Sequence, residues 1–98
     1  MLDTTLTDRN GNTIMANDQD PATIRTALYM AIDAQVEGDD KMDPTTKLKL
    51  AKLSLKLADP KAELSAGEII ILTERAGKVL STLIYAQVLQ TLDPKALG

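Results

Sequence analysis

Lysines and carboxylates are the side chains best able to do chemistry in this chain of 98 residues, because it contains no histidine and no cysteine. Lys49, Lys52 and Lys56 recur at spacings of three and four, so a helix would place them on one face. Such a row can contact nucleic-acid phosphates, but no arginine or aromatic residue interleaves it to read or stack bases. It predicts either a weak, salt-sensitive nucleic-acid face or an ordinary solvated helix surface.

The first metal site to consider among the acidic residues is a calcium-binding loop. Asp8, Asn10 and Asn12 have the spacing of the first three ligands of such a loop. Thr13 stands where the loop requires glycine, and Gln19 stands where it requires glutamate. We therefore expect no calcium site here.

A second acidic cluster consists of Glu37, Asp39, Asp40 and Asp43. It could hold a divalent ion loosely, but a solvated loop between helices explains it better. Gly67 stands alone, without the glycine pattern of a phosphate-binding loop. The sequence predicts no metal and no other cofactor.

The missing residue types also bear on catalysis. Zinc sites, thiol nucleophiles and Ser-His pairs all need histidine or cysteine. Paired carboxylates would need a defined cleft, which a thin helical domain rarely builds. We expect a protein that is not an enzyme and has no catalytic residues.

The composition is that of a soluble globular protein, with 44% hydrophobic and 26% charged residues. The length predicts a single domain over 1–98. Residues 1–43 carry nine acidic and three basic side chains, whereas 44–98 carry five and eight. This asymmetry marks either a partner surface or ordinary solvated faces.

Neither a signal peptide nor a membrane span is expected. The first residues lack a basic segment followed by an apolar one, and the longest apolar run is only 69–72. The absence of cysteine fits a reducing compartment. We therefore expect a soluble protein of the cytoplasm that does not contact a membrane.

A β-hairpin is predicted over residues 1–17. A two-residue Asn-Gly loop would pair Leu6 with Met15, whereas a turn that begins at Asp8 would pair Leu6 with Ile14. We favour the second register, which uses aspartate and glycine at their preferred turn positions. An isolated hairpin is marginally stable in water, so it should cover part of a helical core.

Three helices are predicted, over 20–37, 44–58 and 66–92. The first two begin at Asp-Pro pairs, and the third begins at a capping box of Ser65 and Glu68. The second run nearly alternates like a strand, but its lysines gather on one helical face, which favours a helix with more than one neighbour. The expected fold is mainly α: a short N-terminal β-hairpin followed by a three-helix bundle with a long C-terminal helix.

The last two turns of the third predicted helix are apolar on nearly all sides. Three helices and a hairpin have too few residues to cover these two turns, which predicts a homo-oligomer or a protein partner. The alternative is a monomer in which the hairpin or the tail at 95–97 covers this region. The predicted interface comprises Tyr85, Val88, Leu89 and Leu92, extended by Ile70 and Ile71.

Four stretches in order, 6–14, 47–51, 64–72 and 86–92, resemble those of small accessory proteins of tailed bacteriophages and prophages. The resemblance implies a phage-encoded protein acting in a bacterial host, and no site residue follows from it. We predict a non-enzymatic interaction protein that acts through apolar helix surfaces, with itself or with a phage or host protein, in virion assembly or host binding. The alternative is a weak nucleic-acid-binding regulator.

Overall fold

The structure is a computed structural model that describes residues 2–34, 41–59 and 61–98. It is mainly helical, and the described residues form no β-sheet. The helices are α1 (Ile24–Asp33), α2 (Pro44–Leu57), α3 (Ala66–Val79) and α4 (Thr82–Leu92), followed by a short 3₁₀ helix (Pro94–Leu97). The predicted three-helix bundle is therefore wrong, because four α-helices are present in the described part of the chain.

Three short extended segments precede α1 and close into a ring. The N–H of Leu6 donates to the carbonyl of Ala22 at 2.9 Å, the N–H of Ala22 to that of Ile14 at 2.8 Å, and the N–H of Ile14 to that of Leu6 at 2.9 Å. Isolated antiparallel bridges accompany these bonds, Thr5 with Thr23, Thr7 with Thr13 and Met15 with Pro21. Each segment thus pairs with both of the others.

The predicted β-hairpin is wrong because the third segment accepts a hydrogen bond that, in a hairpin, would join the first two segments. In a hairpin with Leu6 opposite Ile14, both hydrogen bonds of the pair would join these two residues. The N–H of Leu6 instead turns to Ala22, so no ladder extends along the first two segments. The turn between those segments lies at Asp8, with Gly11 at a φ of 83°.

Helix α1 begins four residues after its predicted start. Pro21 belongs to the ring, and Thr23 caps the helix in a reciprocal box with Thr26. Each threonine hydroxyl accepts from the other residue's backbone N–H. The helix ends at Asp33, and the predicted positions 35–37 lie outside the described residues.

Helix α2 spans Pro44–Leu57, against the predicted 44–58. The Asp43 carboxylate caps it by accepting from the backbone N–H of Thr46 at 2.9 Å. That hydrogen bond is the main reason why the pKa of Asp43 lies below its ordinary value. Asp43 therefore carries its negative charge at the start of this helix.

The predicted long helix over 66–92 is wrong because the helix is interrupted at Leu80 and Ser81. Both residues are extended, with ψ angles of 153° and 159°. The Ser81 hydroxyl accepts from the N–H of Ile84 and begins α4. The break lets α4 pack against both α3 and α1.

Helix α1 lies at the centre of the core and packs against α2, α3 and α4. Ile24, Ala27, Leu28 and Ala31 on its faces are completely or almost completely buried. The surrounding elements contribute aliphatic side chains: Leu2 and Leu6 from the ring, Leu53 and Leu57 from α2, Leu72 and Ala76 from α3, Val88 and Leu92 from α4. Every neighbour of α1 thus meets it through leucine, valine or alanine.

Two arginines bind the C-terminal carbonyls of neighbouring helices. The buried Arg75 of α3 donates to the carbonyls of Ala31 at 3.1 Å and Ala34 at 2.8 Å, at the end of α1. Arg25 of α1 donates to the carbonyl of Leu57 at the end of α2. A cation at a helix C-terminus satisfies orphan carbonyls and complements the helix dipole.

Helix α4 is tied to the ring by one amide side chain. The Gln87 side chain accepts from the N–H of Thr7 at 2.9 Å and donates to the carbonyl of Thr7 at 2.8 Å. The amide thus pairs with Thr7 as a neighbouring strand would. It satisfies both backbone groups of Thr7 and fixes the ring over α4.

Replacing Arg75 with methionine should destabilise the fold by about 3 kcal/mol, because buried carbonyls at the end of α1 lose a charged donor. Arg75→Lys should restore only part of this stability, since an ammonium lacks the guanidinium fork. Urea denaturation measures the change. Lys78→Met, at an exposed position of the same helix, is the control, and equal stability of Arg75→Met and this control would contradict the assigned role.

Replacing Ser81 with alanine should destabilise the fold by about 1 kcal/mol, because α4 loses its N-cap. If 66–92 were one continuous helix, the same change would instead stabilise it by a few tenths of a kcal/mol. The sign of the shift in the urea midpoint therefore tests the break. Ser54→Ala, inside α2, is the matched control and should be neutral or slightly stabilising.

Candidate interaction surface

Helix α2 carries more leucine than one helix face can bury. Its inner face carries Leu50, Leu53 and Leu57, which are all buried, and Leu53 and Leu57 belong to the core that includes α1. At 100° per residue the other two leucines point the opposite way. Leu48 is 54% exposed and Leu55 is 78% exposed. The helix is therefore apolar on its outer side as well.

The outer apolar residues of α2 form a continuous stripe, here called the outer seam: Leu48, Ala51, Leu55 and Ala58, of which Ala58 is the C-cap. All four are exposed. Their spacing of three, four and three residues is the spacing that brings side chains into contact along a pair of helices. The outer seam thus has the pattern of a helix-packing surface and faces away from α1.

Lysines border the outer seam. Lys47 flanks it on one side and Lys52 on the other, and both are exposed. Lys49 is exposed further round the helix, and no acidic residue occurs between Pro44 and Leu57. The surface is therefore an apolar stripe with basic edges.

Only two of the three lysines predicted to form a nucleic-acid face are exposed. Lys49 and Lys52 are exposed, whereas the ammonium of Lys56 contacts the Glu68 carboxylate at 2.7 Å. That contact is the largest cause of the lowered pKa of Glu68, followed by the hydrogen bond from the Ser65 N–H. The ion pair joins the last turn of α2 to the first turn of α3.

The structure places half of the predicted interface inside the molecule. Val88, Leu89 and Leu92 are at most 8% exposed, because α4 folds back onto α3 and α1 after the break. The cover that a single long helix would lack thus comes from within the chain. These three side chains are not available to a partner.

The other three residues of the predicted interface differ in their exposure. Tyr85 is half-buried over Gly77, where an added Cβ would be 3.4 Å from the phenol ring. Ile71 is half-buried against the core, whereas Ile70 is 57% exposed. The six predicted residues therefore form no shared exposed face.

Sequence reasoning missed the outer seam, although the signal was present in the count of leucines. An apolar arc wider than half a helix predicts more than one neighbour. Within the described residues, the structure supplies α2 with one main neighbour, α1. Leu48 and Leu55 hence remain at the surface.

The described residues offer little for metal chemistry. Among 2–34, 41–59 and 61–98, no three acidic side chains converge where they could share a metal ion. The Asp8 carboxylate accepts from the N–H groups of Asn10 and Asn12 and so supports the turn. Three members of the predicted acidic cluster, Glu37, Asp39 and Asp40, lie outside the described residues.

No helix in the described part of the chain is long and apolar enough to cross a membrane. Comparisons of the chain with protein-family models, with curated proteins and with solved structures find no match. The function proposed below therefore rests on the geometry of the outer seam and its lysines.

Replacing Glu68 with glutamine should reduce stability at neutral pH, because the ion pair with Lys56 is lost while the capping box can persist. The folded pKa of Glu68 is lowered, so its contribution is complete above the ordinary value of 4.5 and disappears as pH falls through the folded pKa. The difference between wild type and variant should therefore shrink from pH 7 towards pH 3.

Urea denaturation at several pH values measures this difference. Glu74→Gln, at an exposed position of the same helix, is the matched control. A difference between wild type and Glu68→Gln that stayed constant with pH would contradict a stabilising charge on Glu68.

Proposed function

We propose that this protein is a non-enzymatic interaction protein that binds a helical segment of a partner protein along the outer seam of α2. The observation that carries the proposal is the exposure of Leu48 and Leu55 on one helix stripe. A single exposed leucine is ordinary, but two leucines seven residues apart, with Ala51 between them and Ala58 beyond, form a continuous apolar surface.

The outer seam is suited to a helix by shape and by energy. Ala51 leaves room for a partner side chain between the two leucines, and Ala58 leaves room beyond Leu55. Full burial of a leucine contributes about 1.5–3 kcal/mol, so covering both offsets part of the entropy that association costs. The fold leaves this contribution unused, since α2 packs on the core through Leu53 and Leu57 instead.

The setting of the interaction follows from the sequence resemblance alone. We propose an accessory protein encoded by a phage or prophage, acting in the cytoplasm of the bacterial host. It would bind a phage protein during virion assembly, or a host protein. Homo-oligomerisation through Val88, Leu89 and Leu92 is not part of the proposal, because these residues are buried in the chain.

The nucleic-acid alternative has weaker support. Phosphate binding would use Lys49 and Lys52, while Lys56 is engaged with Glu68. Two phosphate contacts give little affinity at physiological salt. A nucleic acid would also leave Leu48 and Leu55 uncovered.

Site-specific photo-cross-linking in bacterial cells tests the proposal. A benzophenone amino acid at position 55 should give a discrete protein adduct, because that side chain would lie against the partner. The control is the same amino acid at position 30, where Met30 is 58% exposed on α1. No adduct at position 55, or the same adducts at both positions, would contradict the proposal.

A further inference from the structure

The charges around the outer seam narrow the kind of partner, given the proposed function on which this inference rests. We infer that the outer seam of α2 binds an acidic amphipathic helix of a different protein, one that borders its own apolar stripe with aspartate or glutamate. Lys47 and Lys52 are the residues that select it.

The positions of these lysines give them this role. With Leu48 and Leu55 at equivalent places in a seven-residue repeat, Lys47 and Lys52 occupy the two positions that border a helix–helix contact. Bordering residues of two paired helices face each other across the contact. Carboxylates opposite these ammonium groups attract, and lysines opposite them repel.

A second copy of α2 fits this surface poorly. In a parallel pair, Lys47 of each copy would face Lys52 of the other. In an antiparallel pair with the two seams aligned, the two copies of Lys52 would lie side by side. Both arrangements place like charges together, and α2 has no carboxylate between its ends to relieve them.

The remainder of a second copy also lacks a matching surface among the described residues. Its large exposed apolar side chains outside α2 are Met15, Met30, Ile70 and Leu97, each on a different element. Met30 lies near Asp33 on α1, and Ile70 near Glu74 on α3, yet neither helix offers a second large exposed apolar residue. Among the described residues of this chain, none therefore forms a two-turn acidic stripe, which favours a different protein as the partner.

An anionic membrane is a poorer occupant than an acidic helix. Asp43 precedes α2 and Asp59 follows it, so carboxylates stand at both ends of the helix. The Thr46 N–H lowers the pKa of Asp43 and keeps it charged. Both carboxylates would be repelled by anionic headgroups if α2 lay flat on them, whereas a short partner helix can leave them in water.

Binding of designed peptides to the full chain tests the inference. One peptide of about three heptads carries leucine along its stripe and glutamate at the bordering positions, and its twin carries lysine there. Isothermal titration should show that the glutamate peptide binds at least about tenfold more tightly at low salt. Raising salt from about 50 mM to about 500 mM should narrow the gap.

Charge reversal in the protein supplies the specific control. The double variant Lys47→Glu/Lys52→Glu should invert the preference and bind the lysine peptide better. Lys78→Glu/Lys95→Glu makes the same change of net charge at exposed sites outside α2 and should leave the preference unchanged. Leu48→Gln/Leu55→Gln should weaken binding of both peptides while leaving the fold intact, because both leucines are exposed.

Several results would overturn the inference. Equal affinity for the two peptides, or a preference that Lys47→Glu/Lys52→Glu does not change, would exclude selection by these lysines. Self-association that Leu55→Gln abolishes, or tighter binding to phosphatidylglycerol vesicles than to the glutamate peptide, would assign the outer seam to a second copy or to a membrane. Failure of both peptides alongside an adduct at position 55 would remove the acidic helix but keep the proposed function, whereas failure of both without an adduct would remove both.

Discussion

The rest of the structure depends on the hydrogen bonds that the carbonyl groups at the C-terminal end of α1 accept. This helix is short and lies at the centre of the core, so the carbonyls at its end need donors from the protein. Arg75 reaches them from α3, which fixes α3 against α1 with a charge-assisted bond that aliphatic contacts alone cannot direct. Arg25 repeats the arrangement in the other direction, from α1 to the end of α2. Two arginines thus fix the packing of α1 against α3 and of α1 against α2.

A core without phenylalanine or tryptophan packs by close approach of small residues. Ala27 and Ala31 of α1 and Ala76 of α3 are almost fully buried, and Gly77 receives the ring of Tyr85. Small side chains at these positions let α3 and α4 both lie against α1. Helix α2 packs chiefly on α1 within the described residues, so its inner face is covered and its outer seam is exposed.

The features that the sequence predicts well are local. The helical character follows from periodicity, and the start of α2 follows from an aspartate cap before a proline. The ring was missed because it joins residues far apart in the chain, such as Leu6 and Ala22, through single hydrogen bonds that leave no alternating pattern. The break before α4 was missed because Ser81 suits both an exposed helix position and an N-cap. The break at Leu80 and Ser81 therefore goes with the burial of Val88 and Leu92.

Because of this break, the apolar surface that is left without a cover lies on α2 rather than on α4. A long helix would have needed an external cover near its end, whereas the folded-back α4 covers itself against the core and leaves Leu48 and Leu55 as the exposed pair. Exposed leucines on a helix invite self-association, and lysines on both borders oppose it by repulsion between copies. The charges that keep copies of α2 apart are the same charges that an acidic helix would neutralise. Under the proposed function, the same lysines would therefore both limit self-association and select the partner.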